Sequence, residues 1–173
     1  MPELKRVSHR MLKEKIQKEL GEALKAGEGS KRLVLSLLMS AIKNKELVKR
    51  QQLSKTINDV GELEKQSQLT DDEVLEVISS EVKKRKESIE MFKTGGREEL
   101  AQKEKSEMDV LVTYLPEQMS EDDIRTEVKK IIAETGVQGI KDMGKVIGAV
   151  MAKLKGKADG GLVSKIVKEI LPS

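Results

Sequence analysis

The residues of this chain best suited to chemistry are cations. Lys83-Lys84-Arg85-Lys86 sets four of them in succession. On a helix such a run crosses more than one side, so at least two of the four must point to solvent. A lysine there makes a point contact with a phosphate, while Arg85 can grip two oxygens with its planar fork. A second group, Lys153, Lys155 and Lys157, stands among Gly156 and Gly160-Gly161. Basic side chains beside the N-terminus of a last helix, with its exposed backbone N–H groups, favour an anion such as a nucleic-acid phosphate. The same residues also read as a Gly-rich turn with ordinary solvated lysines, and spacing alone leaves both readings open. Only Phe92 and Tyr114 carry an aromatic ring of the Phe, Trp or Tyr kind. Both fit core positions, so single-stranded bases would lack stacking platforms. A nucleic-acid ligand would be met at the backbone of a folded RNA.

Catalytic chemistry has fewer candidates. Gly139-Ile140-Lys141-Asp142-Met143-Gly144-Lys145-Val146 approaches the phosphate-binding loop G-x-x-x-x-G-K-[ST]. Val146 replaces the hydroxyl that would hold Mg²⁺, and no β-branched strand precedes the loop. The stretch reads instead as a turn entering a helix, with Gly144 allowing a close helix contact. His9, the one histidine, lies in a polar N-terminal segment and reads as a surface residue rather than a general base. The pairs Asp71/Asp72 and Asp122/Asp123 fall in first helical turns, where they favour the macrodipole without any acid–base role. With no Cys there are no thiolate ligands, disulfides or cysteine nucleophiles. No metal site, cofactor or autonomous catalytic constellation is expected.

Positioning these residues falls to helices. Leu12, Ile16, Leu20 and Leu24 recur every four residues and predict a first helix, broken by Gly27 and Gly29. Ser30 is placed to cap a second, with Val34, Leu38, Ala41 and Ile42 on its core side. Leu33, Leu35 and Leu37 widen that side, which predicts a helix buried around much of its circumference. From Gln51 to Leu69 the pattern turns polar, a loop or a short helix followed by one. Thr70-Asp71-Asp72-Glu73 is a capping box opening a helix with Val74, Val77, Ile78, Val82, Ile89 and Phe92 inward, stopped at Gly95-Gly96. A fourth helix runs from about Arg97 to Leu115, with Leu100, Met108, Leu111 and Leu115 on one side.

Pro116 is the strongest boundary, since proline disfavours helical geometry at Leu115 and cannot donate an N–H. Downstream, Ser120, Asp142 and Asp159 are expected to cap three short helices, separated by Gly136 and Gly156. The expected fold is all-α: a domain of about four helices over 1–115, then a three-helix bundle over 116–173.

Composition agrees with a helical, aliphatic chain: of 173 residues 36% are charged and 37% hydrophobic. No apolar run approaches the roughly 18 residues of a membrane span. Leu4-Lys5-Arg6-Val7 lacks the apolar centre of a signal peptide, so a cytoplasmic location is expected. The net charge is only +3, but its layout is uneven. Lys31 to Arg50 holds six basic residues against Glu46 alone; Glu117 to Gly139 holds three against six acidic ones; Ile140 to Ser173 holds seven against three. Local basic faces on a nearly neutral molecule follow from that arrangement.

Three motifs carry a resemblance. Tyr114-Leu115-Pro116-Glu117-Gln118-Met119-Ser120, Asp142-Met143-Gly144-Lys145-Val146 and Gly156-Lys157-Ala158-Asp159-Gly160-Gly161-Leu162-Val163, with Gly95-Gly96-Arg97-Glu98-Glu99-Leu100 and Lys83 to Lys86 upstream, resemble the GatB/YqeY family. Within it they are similar to the free-standing YqeY-like proteins, over essentially the whole chain, although the stretch 51–69 looks longer than usual. The resemblance implies an all-α fold whose tail is similar to that of the GatB component of aspartyl/glutamyl-tRNA amidotransferase, where the tail helps hold misacylated tRNA. It also implies the activity attached to the family, a carbon–nitrogen ligase with glutamine as amide donor, though the kinase and amidase chemistry resides elsewhere in that enzyme. The expectation drawn is a tRNA-binding accessory protein of translation. Its candidate contacts are Lys145, Lys153, Lys155, Lys157, Gly160 and Gly161, with Lys83, Lys84, Arg85 and Lys86, and Asp159 shapes the turn. The alternatives are an adaptor whose N-terminal helices dock a protein of the aminoacylation or amidation machinery, and the ligase itself.

Overall fold

The computed structural model describes residues 11–137 and 139–171. His9 and the Leu4–Val7 segment lie outside them. Among the described residues there are helices and no strand, and the chain divides between Tyr114 and Leu115 into two compact units.

The first unit holds α1 (Met11–Ala26), α2 (Gly29–Leu53), α3 (Val60–Ser67), α4 (Asp71–Thr94) and α5 (Glu98–Val112). Ile16, Leu35, Leu38, Ile42, Leu69, Ile78 and Leu111 are almost fully enclosed and form its centre. The α1–α2 turn uses Gly27 at φ 71° and the α4–α5 turn uses Gly96 at φ 68°, a conformation costly for a side chain with a Cβ. The polar stretch after α2 contains α3, capped by Asp59, whose carboxylate accepts from Glu62 N at 2.7 Å.

Several expected core positions fall outward. Leu24 is exposed and Ala23 buried in its place, because a four-residue repeat drifts about 40° per step on a helix of 3.6 residues per turn. On α2, Leu35 is buried but Leu33 and Leu37 are exposed, so that helix is covered on one side only. Ser30 lies inside the first turn of α2; the capping position belongs to Glu28, which makes no side-chain bond there. On α5 the enclosed residue is Ala101 while Leu100 is exposed.

Ion pairs within this unit consume much of the basic excess of α2. Glu46, the one acid in that stretch, binds Lys13 at 2.6 Å and accepts from Leu69 N at 3.2 Å. Lys45 pairs with Glu76 at 2.8 Å and Lys49 with Glu73 at 2.7 Å. Glu73 also closes the capping box, accepting from Thr70 N at 2.8 Å. Burial pulls the Glu73 carboxyl upward, but the bonds from Lys49 and Thr70 outweigh it and hold it below its ordinary value of 4.5. A lowered native pKa contributes stability that is present above the unfolded value and lost as the pH falls through the folded one. Glu73→Gln should therefore be less stable than the parent at neutral pH, with the deficit shrinking below about pH 4.5. Urea midpoints of both proteins across that range measure it; a deficit independent of pH contradicts the assignment.

The second unit holds α6 (Glu121–Thr135), a single 3₁₀ turn at Ile140–Asp142, α7 (Met143–Leu154) and α8 (Gly160–Ile170). Ile124, Val128, Val146, Val150, Val163, Ile166 and Val167 are enclosed at its centre. Ser120 caps α6 by accepting from Asp123 N, and Gly136 ends it in the left-handed conformation. Arg125 ties α6 to α8, reaching Glu169 at 2.8 Å and Glu121 of its own helix at 3.1 Å. Asp142 stands at the start of α7 but its side chain makes no capping bond; it pairs with Lys145 at 3.3 Å.

Candidate nucleic-acid interface

The segment after α7 folds back on itself before α8 begins. Lys155 N donates to Met151 O at 3.0 Å and Lys157 N to Leu154 O at 2.8 Å. Gly156 takes φ 77°, and Lys155 takes φ 26°, a conformation that a residue with a Cβ keeps only where its surroundings impose it. The residues following Tyr114 supply that constraint. Gln118 Nε2 donates to Gly156 O at 2.7 Å and Met119 N donates to Lys157 O at 2.8 Å. Ala158 is enclosed and anchors the far side of the turn. Two of the sequence motifs, 38 residues apart at Gln118 and Gly156, thus meet in one hydrogen-bonded structure.

At the N-terminus of α8 the place expected for an anion is filled from within. Asp159 Oδ1 accepts from Gly161 N at 2.9 Å and Leu162 N at 3.0 Å, so this carboxylate uses the N–H groups a phosphate would need. Gly161 has a steric role: a Cβ there would stand 3.0 Å from Asp159 Oδ1. Gly160 faces only ordinary contact, with Met151 Cε at 3.6 Å. Gly161 therefore serves the Asp159 cap, Gly160 has no such steric requirement, and the N–H groups of Gly161 and Leu162 are taken by that carboxylate, which corrects the expectation of an anion seat there.

The lysines are exposed and differ in their surroundings. Lys153 Nζ lies 3.0 Å from Glu127 Oε2, and this pairing raises the Lys153 ammonium above its ordinary value. Glu127 is held low by Lys130 first and Lys153 second. Lys145 is 3.3 Å from Asp142. Lys155 and Lys157 project from the pinned turn, both exposed. Met119, bonded to Lys157 O, is followed in the chain by Ser120 and the acidic first turn of α6, Glu121, Asp122 and Asp123. Gln118, Met119 and Glu127 were not singled out from sequence as site-forming. Their signal is tertiary, apart from the i,i+3 spacing of Glu127 and Lys130.

In the first unit the run from Lys83 to Lys86 occupies the middle of α4. Lys83, Lys84 and Lys86 are exposed, Lys84 pairing with Glu81 at 2.7 Å. Arg85 is turned inward with its side chain 12% exposed, bound by Glu104 at 3.0 Å and by Glu107 of α5. Its Nη1 meets both carboxylates and its Nε is buried without a hydrogen-bond partner, so Arg85 faces the fold and not solvent, which removes it from the phosphate-binding set. The phosphate-loop resemblance also ends here: a 3₁₀ turn, not a strand, precedes α7, and Gly144 has open space around it rather than a close helix contact. No cluster of three or more His, Cys, Asp or Glu able to hold a metal occurs among the described residues. No helix among them is long and apolar enough to cross a membrane.

The model of the YqeY-like protein family matches residues 13–171. The chain belongs to that family. Among curated proteins it is similar to "Altered inheritance of mitochondria protein 41, mitochondrial" of Pyrenophora tritici-repentis, 35% identical over 105 residues, 59% of this chain and 58% of that protein. It is also similar to "Uncharacterized protein C22F3.15" of Schizosaccharomyces pombe, 45% identical over 51 residues, 30% of this chain and 42% of that one. The matches thus span less than two thirds of either fungal relative. The YqeY-like region takes in both motifs joined at the pinned turn and the whole α4–α5 hairpin.

Proposed function

We propose that this YqeY-like protein is an RNA-binding accessory factor whose C-terminal bundle holds the backbone of a folded RNA, with tRNA as the ligand. The observation that carries the reading is the turn at 154–160, held by Gln118 and Met119 with Lys155 and Lys157 on its outside. A lysine on a fixed backbone meets a phosphate without the entropy cost of ordering a loop. Backbone contact also suits a chain whose only aromatic rings of the stacking kind are Phe92, half-buried, and Tyr114, buried. In the amidotransferase that the family resemblance brings in, the similar tail helps hold tRNA.

Contacts are assigned to Lys155 and Lys157 first, because the hydrogen-bonded turn fixes the backbone that carries them. Lys153 and Lys145 are the outer members of the set, on α7 and beside the carboxylates of Glu127 and Asp142. Binding should fall steeply as salt rises, since each phosphate contact releases counterions. Replacing Lys153, Lys155 and Lys157 by Ala should lower tRNA affinity about tenfold or more and flatten the salt dependence by roughly 0.9 in log–log slope per lost contact. Fluorescence anisotropy with labelled tRNA at several salt concentrations reads both quantities. Unchanged affinity in a variant of unchanged melting temperature overturns the assignment.

A further inference from the structure

We propose that the solvent-facing side of α2 docks an amphipathic protein helix with acidic flanks. With 100° between successive residues, Leu33, Leu37, Leu47 and Val48 fall within about 60° of one line along the helix. Val34, Leu35, Leu38, Met39 and Ile42 are buried on the opposite side. The four aliphatics are 48%, 49%, 63% and 53% exposed. In a chain that is 36% charged, the strip they define contains no charge, and it runs about 22 Å at 1.5 Å per residue.

Its relief suits a helix. Two aliphatic pairs stand at the ends, with Ser40 and Asn44 between them and Ser36 beside Leu37. Ser40 Oγ donates to Ser36 O at 3.0 Å, so that hydroxyl is satisfied, and the middle of the strip carries polar side chains between its aliphatic ends. Ridges of a second helix can settle there while its own apolar residues meet the two aliphatic ends.

Charge selects the partner. Arg32, Lys43 and Arg50 lie about 80–100° round from the strip, all on the same flank. None of the three forms an ion pair among the described residues, whereas Lys45 on the other side is paired with Glu76. Glu46 and Glu64 line the hollow beside Lys43 and Arg50, but Glu46 is bound by Lys13. The flank is thus cationic and suited to carboxylates on the incoming helix. A second copy of α2 packed antiparallel about a twofold would bring the two cationic flanks together, which is unfavourable. A bilayer surface fits less well, because serines and an asparagine interrupt the apolar strip and it holds no aromatic residue.

The test uses the full chain and two labelled helical peptides of about 20 residues, as a length matched to the strip. Both carry Leu at i, i+3, i+4 and i+7; one has Glu on its flanks and the other Lys. The Glu-flanked peptide should bind saturably, and Leu37→Asp should weaken it about tenfold or more. In the triple variant Arg32→Glu, Lys43→Glu, Arg50→Glu, preference should switch to the Lys-flanked peptide, a gain that misfolding cannot produce. Equal binding of both peptides to the parent, or no effect of Leu37→Asp, overturns the proposal. So does docking on phosphatidylglycerol vesicles in place of the peptide, or self-association that Leu37→Asp abolishes.

Discussion

Arg85→Ala should lower the stability of the N-terminal unit by about 3 kcal/mol, the low end of the range for breaking a buried ion pair. The substitution leaves two carboxylates behind, Glu107 with its side chain 8% exposed and Glu104 with 25%. Glu104 can recover some hydration, which keeps the expected loss from being larger; Glu107 cannot. The comparison lies within the same four-residue run: Lys83→Ala, Lys84→Ala and Lys86→Ala, at exposed positions, should each cost about 0.5 kcal/mol or less. Adding Glu107→Gln to Arg85→Ala should recover part of the loss by removing the stranded charge. Chemical unfolding followed through hydrogen exchange of α4 and α5 amides measures each step. If Arg85→Ala costs no more than Lys84→Ala, the inward ion pair contributes nothing. The experiment also separates the two roles of a basic run, since RNA affinity should not track the stability loss.

Ile166→Ala is the second large effect expected. Ile166 is fully enclosed in the centre of the C-terminal bundle, and truncating such a side chain costs about 2–5 kcal/mol in lost burial and cavity formation. A unit of this size is expected to hold only roughly 3–9 kcal/mol in all, from typical stability per residue. Amides of α6, α7 and α8 should therefore lose most of their exchange protection. The turn at 154–160 lies between α7 and α8, so its hydrogen bonds to Gln118 and Met119 should open with them. Retained protection throughout the bundle would show that the core is not as tightly enclosed as its contacts require.

Part of this molecule was legible in local sequence and part was not, and the division follows the range of each interaction. Thr70, Ser120 and Asp159 cap helices as their residue types suggest, because a cap joins groups within three residues of each other. Leu24, Leu33, Leu37 and Leu100 misled for the opposite reason. Whether an apolar side chain is covered depends on which neighbouring helix arrives, and periodicity states only which residues share a face. Arg85 shows an intermediate case. Counting outward from Gly95-Gly96, Arg85 stands ten residues before the turn and Glu104 and Glu107 stand eight and eleven after it. That near symmetry, on an antiparallel hairpin, could have exposed the pair.

The sequence by itself determined that the chain is helical and aliphatic, with no Cys and one His, and it carries the motifs by which the chain resembles the YqeY-like family, whose model matches residues 13–171. Composition and local spacing suffice for that, since helix propensity, turn glycines and caps act between near neighbours. Tertiary structure decided the surroundings of each cation. It turned Arg85 onto Glu104 and Glu107, gave Lys153 to Glu127, and set Lys155 and Lys157 on a turn pinned by Gln118 and Met119. A lysine or arginine in a sequence is only a charge. Its field toward a partner is fixed by the carboxylates that folding brings beside it.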